Sequence, residues 1–376
     1  MTTTTTTSTL RHLTGTLAYA GRRRSHDRQD ARAVAELTAA PDALGLPAGI
    51  EVRWLGVAGF ALSCESTTIL IDPYVTRPGL GDLLRRRTLQ PDRALVDRWL
   101  PRADAVLLGH THFDHALDAP EVARRDGCPV YGGGSAARLM ALHGLGDRAV
   151  EVDPHRTYGI GPFEVTFVPS VHSKLFLGRS VPNGGEITCE HVGDLTSQAF
   201  QCGQVWGIHI AVDGATIYHQ GSADLLDDEV RHRDVDVFLC GAAGRQFTPR
   251  YLPRILGRLA PRTVVVTHHD DFLRPMDAPQ GFAFGVDVAR FPDEVAAVSD
   301  DFRVLALPPP GPVTAGGMEG DPGAEQDVQH EPPGRVAAAG HLQVVARVDQ
   351  TARAIGADAL LMGAASGLEG HPTGEA

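Results

Sequence analysis

The stretch Ala105-Val106-Leu107-Leu108-Gly109-His110-Thr111-His112-Phe113-Asp114-His115 is an apolar run that ends in a crowd of metal-binding side chains. In extended backbone, positions two apart point to the same side, so His110 and His112 can grip one cation together. Asp114 and His115 lie further round the turn and can face a neighbouring cation. Neutral imidazole and carboxylate are the donors that zinc and other borderline divalent metals prefer. Four such donors within six residues, launched from the end of a buried strand, do not read as ordinary packing.

A centre for two metals needs further donors from distant loops at the same sheet edge. His172 follows the apolar run 163–168, where a strand would deliver a ligand. His268 follows Val264-Val265-Val266-Thr267 in the same way, with His269, Asp270 and Asp271 behind it. His268 comes first off its strand and is the expected ligand; His269 is expected behind it or at the mouth of the site. Alternating and β-branched segments at 51–55, 60–64, 68–71, 105–108, 163–168, 205–212, 216–219, 235–239 and 263–267 predict strands. Helical periods fall at 92–100, 120–125, 136–143 and 249–259. Strands and helices alternate in both halves, which predicts a layered α/β protein with the helices outside.

Three segments together resemble the metallo-β-lactamase superfamily: the His110–His115 motif, the later His172, and Thr267-His268-His269-Asp270-Asp271-Phe272. The opening Val52-Arg53-Trp54-Leu55-Gly56-Val57-Ala58-Gly59-Phe60, with Ile69-Leu70-Ile71-Asp72-Pro73, is similar to one branch of it. That branch contains the ascorbate-6-phosphate lactonase and the N-acylphosphatidylethanolamine phospholipase D. The resemblance implies a four-layer αββα sandwich with its metals at one edge of the sheets. It also implies that His110, His112 and His172 hold the first metal, and Asp114, His115 and His268 the second. The family adds a bridging aspartate in a Gly-Asp-Thr-type turn. Here that turn reads Gln220-Gly221-Ser222-Ala223-Asp224, so the family's aspartate position falls on Ser222. Asp224 is the expected replacement, reaching in from a reshaped loop to bridge the metals. Val57 stands where relatives of this branch often carry histidine.

Two divalent cations, zinc or else manganese or iron, held about 3.5–4 Å apart can share a water and make it a hydroxide near neutral pH. Asp114 can orient that nucleophile and carry its proton to the leaving group. Asp72, at the end of its strand, is a candidate acceptor that fixes a histidine tautomer, or else a simple turn acid before Pro73. The long stretch 173–204 lies beside the site, and Lys174, Arg179 and His191 there could meet an anionic group. Residues 175–177 could offer an apolar wall, and Arg85-Arg86-Arg87 a phosphate grip. The expected function is hydrolysis of a small ester, lactone or phosphodiester. A nuclease of the same superfamily and a non-hydrolytic metal-binding sensor or scaffold are the alternatives.

Composition narrows these classes. Among 376 residues, 46 Asp and Glu outnumber 34 Lys and Arg, for a formal charge of −12. That charge repels a polyphosphate backbone and disfavours the nuclease reading and nucleic-acid partners. Hydrophobic residues at 43% are enough for a large core. Mean hydropathy is −0.10, and no run approaches about 18 apolar residues, so no membrane span is expected. Five scattered cysteines (Cys64, Cys128, Cys189, Cys202 and Cys240) suit a reducing, cytoplasmic setting. Residues 1–46 open with a threonine run, and their weakly apolar stretch precedes the arginines, the reverse of a signal peptide. They are expected to form a flexible tail, with a transit peptide as the alternative. The hydrolase domain is expected over 47–308. A Pro/Gly-rich linker follows over 309–376, with a helical period at 335–362 that could dock on the body or pair with another chain.

Overall fold

The computed structural model describes residues 23–174 and 180–313. Its strands form two mixed sheets. The first runs, in spatial as in chain order, β1 (Ile50–Gly56), β2 (Gly59–Cys64), β3 (Thr67–Ile71), β4 (Ala105–Leu107), β5 (Val130–Gly132) and β6 (Ala149–Glu151). The second comprises β7 (Thr157–Ile160), β8 (Phe163–Ser170), β9 (Val205–Val212), β10 (Ala215–Gln220), β11 (Val237–Gly241), β12 (Thr263–Thr267) and β13 (Arg303–Leu305), again in unbroken order. Each sheet begins antiparallel and becomes parallel, from β3 onward in the first and from β10 onward in the second.

The strands are buried on both faces, and their alternation sorts side chains into layers. In β3, Ile69 and Ile71 enter the layer between the sheets while Leu70 turns outward under helices. In β11, Val237 and Leu239 point inward while Phe238 and Cys240 point outward. Three apolar layers result. The outer one of the first sheet includes Val96 and Trp99 of the helix Arg93–Trp99 and Val122 of the helix Ala119–Asp126. The outer one of the second sheet includes Leu252, Ile255 and Leu256 of the helix Tyr251–Leu259. Phe60, Phe163 and Phe167 fill the middle, fully buried, and truncating one of them to Ala should cost about 3–5 kcal/mol. Three apolar layers require four structural ones, so the sandwich is αββα, as expected.

The flexible tail expected over 1–46 is corrected over its described part, residues 23–46. Residues 23–37 are helical, and Ala33, Val34 and Leu37 pack into the outer layer of the second sheet. Asp30 accepts the Ala289 N–H at 2.9 Å, and Thr38 bridges Ala306. The stripe is short and flanked by arginines, so composition hid an amphipathic helix. Three short strands, β6, β7 and β13, carry too few residues to show a period, and β11 lies two residues later than expected. The threonine run, the candidate wall 175–177, Arg179 and the helical period 335–362 lie outside the described residues.

Candidate metal centre

Both sheets end at one rim, and the ends of β3, β4, β8, β10 and β12 meet there. β4 stops at Leu107. The Gly109 N–H then donates to Asp72 Oδ1 at 2.7 Å, which turns the chain across the rim. His112 is extended, at φ −60°, ψ 151°. A single helical turn, Phe113–Ala116, carries Asp114 and His115. His172 follows two residues after the end of β8, and His268 is the first residue after β12. His268 takes a positive φ of 54°, a left-handed conformation that non-glycine residues rarely adopt.

The potential donor atoms converge. His110, His112 and His172 form one group whose donor atoms lie within 4.8 Å of one another, and Asp114, His115 and His268 form another. His110 Nε2 is 3.0 Å from His112 Nδ1. Asp114 Oδ2 is 3.7 Å from His115 Nε2 and 3.5 Å from His268 Nε2. His110 and His115 join the groups, with ring centroids 3.8 Å apart.

Three of the imidazoles are tied through their second nitrogen. His112 Nε2 donates to Pro182 O and His172 Nδ1 to Ser173 O, each at 2.8 Å. His115 Nδ1 meets Asp72 Oδ2 at the same distance. Each such bond fixes a tautomer and leaves the opposite lone pair facing the shared space. Asp72 is fully buried, and Gly221 makes room for it: a Cβ there would sit 3.0 Å from Asp72 Oδ2.

Electrostatics favours cations at these donors. Burial, reinforced by neighbouring imidazoles, pushes His110 far below the usual imidazole range and His172 down to about 3. Burial brings His112 to about 4 against the pull of Asp114. These rings are neutral and ready to donate. Burial would raise the Asp114 carboxyl, but His115 and His268 hold it well below the ordinary carboxylate range. Burial lowers His115, yet Asp114 and Asp72 together raise it. Neutral imidazoles and an ionised carboxylate with fixed orientations are the donor set that zinc, manganese or iron accepts.

Several known proteins resemble this chain. A family model described as a beta-lactamase superfamily domain matches residues 67–269. The chain belongs to that superfamily. A "UPF0173 metal-dependent hydrolase" of Anaeromyxobacter dehalogenans is 30% identical over 279 residues, covering 70% of this chain and 86% of the relative. A protein of the same name from Archaeoglobus fulgidus is 25% identical over 255 residues, covering 64% and 94%. Among solved structures, Igni18, a metallo hydrolase from Ignicoccus hospitalis, is 19% identical with a TM-score of 0.43, covering 70% of this chain and 97% of that one.

Within this member of the superfamily, the remaining expected residues divide. Asp72 stands behind His115 as an acceptor, and it also falls within ligand distance of His110 and His115. Asp224 departs from its expected bridging place. Its carboxylate accepts the Leu225 N–H at 2.9 Å and Arg254 Nη1 at 3.1 Å, and it joins none of the donor groups among the described residues. Arg254 on the outer helix captures it in an ion pair. Ser222, at the family's aspartate position, donates instead to Val171 O at 3.3 Å.

His269 is buried and stacks on Trp54, with centroids 4.9 Å apart, so it packs the back of the site. Lys174 is exposed, two residues beyond His172. Beyond residue 180 the long stretch is anchored rather than loose. Ile187, Leu195 and Phe200 enter the outer core of the first half, and Thr111 Oγ1 donates to Gln201 O at 2.6 Å. His191 caps the short turn Val192–Asp194, and Arg87 pairs with Asp82. The five cysteines are free thiols, and no helix among the described residues is long and apolar enough to cross a membrane.

Proposed function

We propose that this chain is a metal-dependent hydrolase of a small ester, lactone or phosphodiester, working with two divalent cations, zinc or else manganese or iron. One observation carries the reading: two adjacent three-residue donor groups, His110/His112/His172 and Asp114/His115/His268, open on the same rim. When bound, the cations would supply an acidified water and a polarised substrate oxygen. Asp114 remains ionised beside His115 and His268, so it can accept a hydrogen bond from a water and hand a proton onward. Asp72 and the carbonyls of Ser173 and Pro182 hold the imidazoles in register, which keeps that geometry fixed through turnover. Lys174, exposed two residues beyond His172, would meet an anionic substrate group.

A second reading, a metal-binding sensor or scaffold, is favoured by the turn that offers Ser222 and diverts Asp224 to Arg254. Metal analysis combined with turnover on ester, lactone and phosphodiester panels separates the two. About two equivalents of metal, with hydrolysis that EDTA abolishes, is the expected result. Full occupancy without turnover on any panel would leave the sensor. RNA binding with a steep salt slope would point to the nuclease alternative.

A further inference from the structure

We infer that the buried ion pair between Arg77 and Asp270 is a positioning device that holds His268 in its left-handed conformation and so completes the Asp114/His115/His268 group. The inference rests on the reading that this group holds a cation. His268 is the only member of its group not tied through its second nitrogen, since Nδ1 is buried with no hydrogen-bond partner. Its backbone is held instead. The Val57 carbonyl accepts the His268 N–H at 2.8 Å, Thr267 Oγ1 at 2.6 Å and Trp54 Nε1 at 3.0 Å. The Val57 N–H donates to Asp270 Oδ1 at 2.9 Å. One residue of the β1–β2 turn, Val57, is thus gripped through both its N–H and its carbonyl by residues at and beside His268, and it sits at φ 50°.

Arg77 locks that grip. Its Nη2 donates to Asp270 Oδ2 at 2.6 Å, and Nη1 donates to the carbonyls of Asp271 and Arg274 at 3.1 and 3.2 Å. The side chains of the pair are 6% and 5% exposed, too dry for solvent screening to weaken it. Gly56 is shaped around it: a Cβ there would clash with Arg77 Nη2. A guanidinium fork serves here because it reaches one carboxylate and two carbonyls in a fixed plane.

Arg77 and Asp72 belong to the same short segment. Asp72 tethers His115, Arg77 tethers the His268 turn, and between them Asp118 Oδ2 accepts the Val75 and Thr76 N–H groups at 2.6 and 2.9 Å. Asp72 and Arg77 both have positive φ, 43° and 45°. Strained backbone held by its surroundings at a site is what a preset ligand geometry requires. Segment 72–77 therefore sets two ligands of one group. Asp72 also holds Gly109 beside His110, but Arg77 and Asp270 make no hydrogen bond to His110, His112 or His172 among the described residues, so weakening that pair should affect one cation selectively.

The test uses full-length protein loaded with Co2+, read by bound equivalents and by its visible ligand-field spectrum. Wild type should take up two ions. Arg77→Met and Asp270→Asn should keep one at wild-type affinity and bind the second about 10–100-fold more weakly, with loss of that ion's part of the spectrum. Arg77→Lys, which keeps the charge but not the fork, should fall between. The retained first ion reports that the fold is intact. If Arg77→Met does not fold, Asp270→Asn and Arg77→Lys decide by the same criterion. Two ions at wild-type affinity and an unchanged spectrum in the folded variants, even with lowered thermal stability, would reduce the pair to a purely structural role and overturn the inference alone. A wild-type protein that binds only one ion would overturn the two-cation reading and this inference with it.

Discussion

Among the described residues, histidines crowd two places. At the rim they form the donor groups; on the outer face of the second sheet, His209 of β9 stacks on His232 with centroids 3.7 Å apart and planes 8° off parallel. Burial lowers the pKa in both places: His209 falls to about 4, and so does His112. Desolvation keeps an imidazole neutral wherever it occurs, so a depressed pKa does not distinguish a ligand from a packed ring. What differs is direction. At the rim the spare nitrogens of His112, His172 and His115 are tied to Pro182, Ser173 and Asp72, and an ionised Asp114 lies between His115 and His268. His209 and His232 lie face to face and join no donor group among the described residues.

The largest effects should separate these two places. His110→Ala should lose metal and hydrolytic activity together, down to background, in one preparation assayed by metal analysis and by turnover. His209→Leu should lose neither. Full turnover by the His110 variant in metal-free buffer would end the assignment of the rim as the site. Asp72→Asn is next in size. It keeps the shape but weakens the acceptor behind His115 and the cradle under Gly109, and should cost about 10–100-fold in metal affinity or activity. Unchanged metal affinity in a titration would mean that Asp72 only caps a turn.

The stacked pair should show itself in acid instead. Its folded pKa values lie below the ordinary imidazole value, by burial first and, for His209, by His232 next. Neutral rings in the fold bind fewer protons than free ones. The contribution of His209 to stability is therefore complete above about pH 6.5 and is lost as pH falls through about 4, and His232 shifts in the same direction. In wild type the urea midpoint should fall across that window. His209→Leu should flatten the fall, and parallel curves for the two proteins would show that the pair does not titrate there.

Much of the centre was legible because β4 delivers four donors in one contiguous motif, whose spacing needs no tertiary information. His172 and His268 were legible for a related reason, since each follows an apolar strand that must end at a sheet edge. The clasp was not. Arg77 meets Asp270 across 193 residues, and its role appears only once two strained turns lie against each other. The helix at 23–37 was hidden by arginines on its exposed face, and the shortest strands are fixed by their neighbours in the sheet rather than by their own pattern.

Asp224 was misplaced for a third reason: a sequence shows that a carboxylate is near a turn but not which cation will take it. Here Arg254 does, at 3.1 Å, while also donating through Nε to Asp227 at 3.0 Å and through Nη2 to the Leu225 carbonyl. Removing Asp224 leaves Arg254 still paired, and the pair is partly exposed. Asp224→Ala should therefore cost at most about 1 kcal/mol and leave the bound metal unchanged. A melting curve and metal analysis on the same sample would check both. Loss of one metal equivalent would mean that the turn rearranges when cations bind, freeing Asp224 from Arg254 to reach the rim. Retention would mean that this chain holds its cations without a carboxylate from the end of β10, with Ser222 in the position where the family places one.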